Sequence, residues 1–253
     1  MVPLGSPAFL GVTVGRFVPS LFTMTKLQIL FSSLVLATVC TAQTPSPHAE
    51  RLADAATVLD EIMGVKDKAI PQELLDKAHC ALVVPGLKSG AFIVGGRFGR
   101  GFLSCRQADG VGWTAPAPMR VEGGSIGFQI GGKETDFVML IMNAKGAERL
   151  VKSSKFSMGG EASAAAGPVG RTSSAETDAT MRAEMLTYSR SRGVFAGVSL
   201  KGGTIRGDDE AIGDLYGNKK MKNEQIIYGK TTAPAAAEKF LAALNKYSSR
   251  QSK

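Results

Sequence analysis

A short set of residues carries whatever bond-making chemistry this chain has. Gly123-Gly124-Ser125-Ile126-Gly127 fits G-x-S-x-G, the pattern that lifts a serine nucleophile onto a sharp strand-to-helix turn. The residues around it argue against that turn, because Ile126, Phe128 and Ile130 alternate with Gly127 and Gln129 as a strand does. The histidine of such a hydrolase follows its serine, whereas His48 and His79, the two histidines, both precede it. Gly96-Arg97-Phe98-Gly99-Arg100-Gly101 is dense in glycine but lacks the G-x-G opening and the following helix of a dinucleotide site. Gly131-Gly132-Lys133 lacks the spacing and the Ser/Thr of a P-loop. Asp208, Asp209, Glu210 and Asp214 sit where acids favour a helix start, and one helix face rarely closes a cation cage. Two histidines and the two separated cysteines beyond residue 42, Cys80 and Cys105, make no zinc pattern. The expectation is a protein that is not an enzyme, with no catalytic set, cofactor or metal; a serine hydrolase is the least favoured alternative.

What remains is positive charge near expected loops: Lys66, Lys68, Lys88, Arg97, Arg100, Lys219, Lys220 and Lys222. Of 30 basic and 22 acidic residues, two basic ones, Arg16 and Lys26, precede residue 43, so residues 43–253 carry net +6. That excess permits contact with an anionic surface and is too diffuse for a nucleic-acid stripe, so no nucleic-acid partner is expected. Each basic residue near an anionic membrane is worth about 1 kcal/mol within a Debye length. Four or five on one face would bind usefully; the same number dispersed would not.

The N-terminus points to export. Leu27 to Val39 is apolar behind Lys26 and ends at Cys40-Thr41-Ala42, a small-x-small cleavage pattern. Residues 1–42 read as a signal-peptide region, with Met24 as a conventional start and 1–23 upstream of it. An acylated Cys40 is disfavoured, since Val39 stands where a lipobox needs a small residue. The expected location is periplasmic or secreted, with peripheral membrane association. In an oxidising compartment Cys80 and Cys105, both in expected strands, form either a disulfide or two buried thiols.

Residues 43–49 read as a linker, 50–247 as one domain and 248–253 as a tail. Thirty glycines with few aromatics imply tight turns and bulges, hence a β-rich domain. Ser46 and Pro47 cap and open a helix to Met63, with Leu52, Ala56, Leu59 and Met63 on one face packing on the domain. Gln72 to Ala78 is a second helix. Strands follow at His79–Val84, stopped by Pro85-Gly86, and at Ala91–Val94; Gly95–Gly101 reads as a glycine-rich connection to Phe102–Arg106. Met119 to Met142 reads as one long hairpin turning at Gly131–Glu134, with Phe137–Met142 covered on both faces. Asn143 caps a helix through Val151, Asp208 opens another, Asn223–Ile227 is a helical turn, and Pro234 opens the last. Low bulk in Phe156–Gly170 fits close packing. Met185 to Leu200 is a hairpin around Ser191-Arg192-Gly193, with Arg190 and Arg192 at its tip and Gly197 admitting close backbone approach.

That hairpin, Tyr188-Ser189-Arg190-Ser191-Arg192-Gly193-Val194-Phe195-Ala196-Gly197-Val198-Ser199-Leu200, resembles the signature of the SYLF lipid-binding domain family. Val84-Pro85-Gly86, Gly95–Gly101, Gly112-Trp113-Thr114-Ala115-Pro116, Gly123–Gln129 and Ala166–Arg171 agree in the family's order, over about Arg51 to Leu244. The resemblance implies binding of anionic lipids, phosphoinositides included, through the helix Arg51–Met63 and, more weakly, Lys66 and Lys68. Eukaryotic relatives also bind actin; actin and endocytic partners are not carried over to a chain read as exported. The alternative is an envelope structural or protein-interaction module. The fold expected is α+β, a curved antiparallel, barrel-like sheet with peripheral helices.

Overall fold

The computed structural model describes residues 46–65, 69–91, 94–126, 131–170, 183–191, 194–198 and 202–248. The chain divides at residue 44, and the described residues belong to the unit Pro45–Lys253. The signal-peptide reading, Lys66, Lys68, Arg192, Gly193 and residues 127–130 lie outside them.

The fold is α+β: a curled, antiparallel-dominated sheet that makes a half-barrel with, among the described residues, six α-helices around it. In chain order the elements are α1 (Pro47–Gly64), α2 (Gln72–Lys77), β1 (Cys80–Ala91), β2 (Val94–Cys105), β3 (Ala117–Ile126), β4 (Gly131–Ile141) and α3 (Ala144–Lys152). Then come β5 (Phe156–Ser157), β6 (Ala164–Ala166), β7 (Met185–Ser191), β8 (Val194–Gly197), β9 (Gly203–Gly207), α4 (Asp209–Tyr216), α5 (Asn223–Tyr228), a 3₁₀ turn (Ala235–Ala237) and α6 (Glu238–Tyr247). The strands lie in the order β5-β9-β3-β2-β1-β4-β7-β6, with β8 also on β7; β6 runs parallel to β7.

Helix starts follow local chemistry. Ser46 Oγ accepts the Ala49 N–H at 3.2 Å and Pro47 opens α1. Asn143 and Asp208 cap α3 and α4 through the N–H groups of Gly146 and Ala211. The sheet buries both faces. Cys80, Leu82, Val84, Phe137, Met139 and Ile141 pack toward α3 and α5, while Ala81, Val83, Val138, Leu140 and Phe102 pack toward α1, α2 and α6. The apolar run of β4 is thus covered on both sides, as its composition implies. Cys80 and Cys105 are opposite each other on β1 and β2 and form a disulfide.

Three expectations are corrected. Pro85-Gly86 does not stop β1. The pair forms a bulge, with a register shift between Val84 and Leu87 against β4 and Gly86 at φ 59°, so the strand bends and continues. Gly95–Gly101 is no connection but the first half of β2, paired with β1 on one side and β3 on the other. Met119–Met142 is no hairpin: β3 pairs with β2 and β9, β4 pairs with β1 and β7, and two strands separate them. Gly131–Glu134, read as the turn, is already β4 facing Ala91–Lys88. Sequence neighbours usually pair; here β1 finds β4, and burial on both faces favours that central position.

Glycine matters most where chains meet. A Cβ on Gly197 would lie 2.0 Å from the Gly167 carbonyl oxygen, and one on Gly167 would enter the Tyr188 ring. A Cβ on Gly101 would stand 2.1 Å from the Val83 oxygen, whereas one on Gly96 would meet nothing within 4 Å. Gly101→Ala should therefore lose at least about 2 kcal/mol in urea unfolding, while Gly96→Ala stays within about 0.5 kcal/mol of wild type.

Candidate functional site

A cleft of about 860 Å³ lies between α1 and the sheet. One flank of α1 supplies Arg51, Asp54, Thr57, Val58 and Glu61, residues spaced three and four apart and so aligned along the helix. The bulge of β1 supplies Pro85, Gly86 and Lys88; β2 supplies Phe98 to Arg100; β4 supplies Glu134 to Asp136; β7 supplies Arg190 and Ser191.

Four of these eight charged residues, Arg190, Asp136, Glu61 and Arg100, are paired within the protein. Arg190 places Nε and Nη2 on Asp136 Oδ2 at 2.9 and 2.7 Å and also bridges to Glu61 of α1. Asp136 Oδ1 accepts the Gly86 N–H at 3.1 Å, which ties the bulge to the same group. Arg190, read from sequence as a hairpin-tip charge, is therefore a strut joining α1, β1, β4 and β7. Arg100 belongs to a second cluster. It faces Arg120 on β3, and Arg120 faces Arg206 on β9, so three guanidinium side chains stand in one cross-strand row. Asp208 and Glu210 answer the first two: Arg100 reaches them at 3.3 and 2.7 Å, and Arg120 at 2.7 and 3.2 Å. Glu122 takes Arg206 at 2.7 Å.

The charge states follow from these contacts. Burial of Asp208, whose side chain is 1% exposed, works against ionisation, but the hydrogen bonds from Arg120 and the Ala211 N–H and the charge of Arg100 outweigh it. Its carboxyl lies below the ordinary value. Arg206 holds Glu122 low, and Arg100 holds Glu210 low. Burial, then the Arg51 guanidinium, push the His48 imidazole down; neutral His48 Nδ1 accepts from Arg51 at 3.2 Å.

Of the cations singled out from sequence, the structure brings Arg51, Lys88 and Arg100 to the cleft. Arg97 falls on the other sheet face, in alternation with Phe98 and Arg100. Lys219, Lys220 and Lys222 are exposed in the connection between α4 and α5. Arg120, Arg206 and Glu122 escaped sequence reading, and Asp208 and Glu210 were read only as helix-start acids, since strand register alone aligns the arginines with them. Ser125 lies inside β3 opposite Gly95, so the G-x-S-x-G stretch builds no nucleophile turn. The apolar face of α1 is already used: Leu52, Ala55, Val58, Leu59 and Ile62 are buried in the domain. Freeing the four larger ones, at about 2 kcal/mol each, would cost as much as the stability of a typical domain. At the cleft mouth, exposed Lys88 and Phe98, the latter 44% exposed, are cross-strand neighbours. Among the described residues no helix is long and apolar enough to cross a membrane.

Comparison with known proteins places this domain in a wider set. A family model described as Ysc84, Las17-binding protein actin regulator, matches residues 122–247. An SH3 domain-containing protein of Schizosaccharomyces pombe is 33% identical over 180 residues, 70% of this chain and 41% of that protein. Protein YSC84 of Saccharomyces cerevisiae is 32% identical, over 70% of this chain and 38% of its own length. The SH3 domain-containing YSC84-like protein 1 of Homo sapiens is 31% identical over 208 residues, 80% of this chain and 60% of that protein. The chain thus spans about two-fifths to three-fifths of the relatives it matches.

Asp208 caps α4 and neutralises two guanidinium groups at once, so Asp208→Ala should destabilise the domain by about 3 kcal/mol in urea unfolding at pH 7. Because its folded-state pKa is depressed, its contribution is present above the ordinary carboxylate value near 4 and is lost as pH falls through the folded value. The gap between wild type and variant should close on acidification below about pH 4.

Proposed function

The chain belongs to the Ysc84, or SYLF, family, and from that premise we propose that its domain binds anionic lipid headgroups, phosphoinositides included, at a membrane surface without making or breaking bonds. The observation that carries this reading is the cleft mouth, where Lys88 and Phe98 stand exposed side by side and Arg51 lines the wall behind. An exposed aromatic beside a lysine suits a wet, charged headgroup layer over an apolar one. The net +6 of residues 43–253 draws the domain to a negative surface from a distance.

We place this activity outside the cytoplasm, at the periplasmic or secreted face. The apolar run Leu27–Val39 and the Cys80–Cys105 disulfide support that placement. Las17 binding and actin regulation are named in the family's description, and SH3 domains in the relatives' names. The reading of this chain as exported carries none of these over.

Vesicle sedimentation with the full chain tests the proposal. Recovery on phosphatidylcholine vesicles doped with phosphatidylglycerol or a phosphoinositide should exceed recovery on phosphatidylcholine alone and fall as salt is raised. Arg51→Gln and Lys88→Gln should each weaken it about fivefold, the loss of about 1 kcal/mol per basic residue. Equal recovery on charged and uncharged vesicles would overturn the proposal.

A further inference from the structure

The cleft does not offer a surplus of cation. With Arg190 spent on Asp136 and Glu61, and Arg100 on Asp208 and Glu210, four charged lining residues have no ionic partner among the described residues: Arg51, Lys88, Asp54 and Glu134. These are two cations and two anions, and the fold keeps them from cancelling one another. Lys88 and Glu134 are cross-strand partners, yet the Glu134 carboxylate lies over the bulge, where a Cβ on Gly86 would come within 2.5 Å of its Oε1. Arg51 and Asp54 are one helical turn apart, yet the Arg51 guanidinium turns to His48.

A headgroup bearing only negative charge would be drawn by Arg51 and Lys88 and repelled by Asp54 and Glu134. A phosphodiester linked to a primary ammonium uses all four. Its phosphate accepts hydrogen bonds from the two cations, and its ammonium donates to the two carboxylates, each bond charge-assisted. A quaternary ammonium has no N–H to give, so choline satisfies only half of the set. The cavity volume is within the range of small-ligand sites and leaves room for the glycerol that follows the headgroup.

We propose that, on a surface carrying anionic lipid, the cleft selects phosphoethanolamine-type headgroups, a phosphodiester joined to a primary ammonium, over choline headgroups. This rests on the headgroup-binding reading: long-range charge brings the domain to the surface, and the cleft chooses at contact.

The test uses the full chain and phosphatidylcholine vesicles that all carry the same fraction of phosphatidylglycerol, with or without phosphatidylethanolamine in place of part of the phosphatidylcholine, at one salt concentration. The expected result is about tenfold tighter binding with phosphatidylethanolamine, as charge-assisted bonds to the ammonium would give. In Asp54→Asn/Glu134→Gln that gain should vanish while binding to the vesicles without phosphatidylethanolamine strengthens. Equal or weaker binding with phosphatidylethanolamine overturns the selection and leaves the headgroup-binding proposal standing. If no vesicle is bound, headgroup binding at a membrane fails, and calorimetric titration of wild type with soluble glycerophosphoethanolamine against glycerophosphocholine decides the selection alone. Heat with the first and not the second supports it; no heat, or equal heat, ends it. That titration needs no variant, so a folding defect in the double substitution cannot mask the result.

Discussion

Three arginines in register on adjacent strands are a problem that the rest of this fold has to solve. Arg100, Arg120 and Arg206 share one face of β2, β3 and β9, and like charges directly opposite each other destabilise a sheet. The remedy comes from the chain that follows β9. Asp208 is at once the cap of α4 and the counter-ion of two guanidinium groups, and Glu210 lies one step further along the same helix start. The helix that covers this part of the sheet is therefore anchored by charge, while α1 covers its part with an apolar stripe. The same arrangement takes Arg100 out of the reckoning as a ligand-binding cation. Arg51 and Lys88 are the cleft cations with no ionic partner among the described residues.

The helices were legible because their signals are local. Ser46-Pro47, Asn143 and Asp208 announce their helices within three residues, and the spacing of Leu52, Leu59 and Ile62 names the buried face of α1. The β7–β8 hairpin and the closeness demanded at Gly197 were legible for the same reason. Sheet order was not. Periodicity says which residues form strands and says little about partners, so β3 and β4 read as one hairpin although β2 and β1 lie between them. Proline and glycine misled at Pro85-Gly86, where a bulge imitates a stop.

The site was legible in part. Lys88 and Arg100 came from loop position and Arg51 from the helix that the family resemblance marks, and all three line the cleft. The carboxylates that hold Arg190 and Arg100 did not come the same way, because ion pairing depends on register and helix docking across 54 to 110 residues of chain. Arg190 drew notice through the family signature, yet its task of tying α1 to β4 and β7 depends on Glu61 and Asp136, which nothing nearby in sequence announces.

The strand order has a consequence for how the chain reaches this state. β1 and β2 join across a short connection, but β9 must return to β3 over a long stretch of chain. Such closure spends entropy before any contact rewards it, which slows folding. A chain with β1, β2 and β3 paired but β9 not yet docked carries Arg100 and Arg120 side by side without Asp208. Electrostatic repulsion then penalises the incomplete sheet until the acid-bearing segment arrives, so charge balance doubles as a signal that assembly is finished.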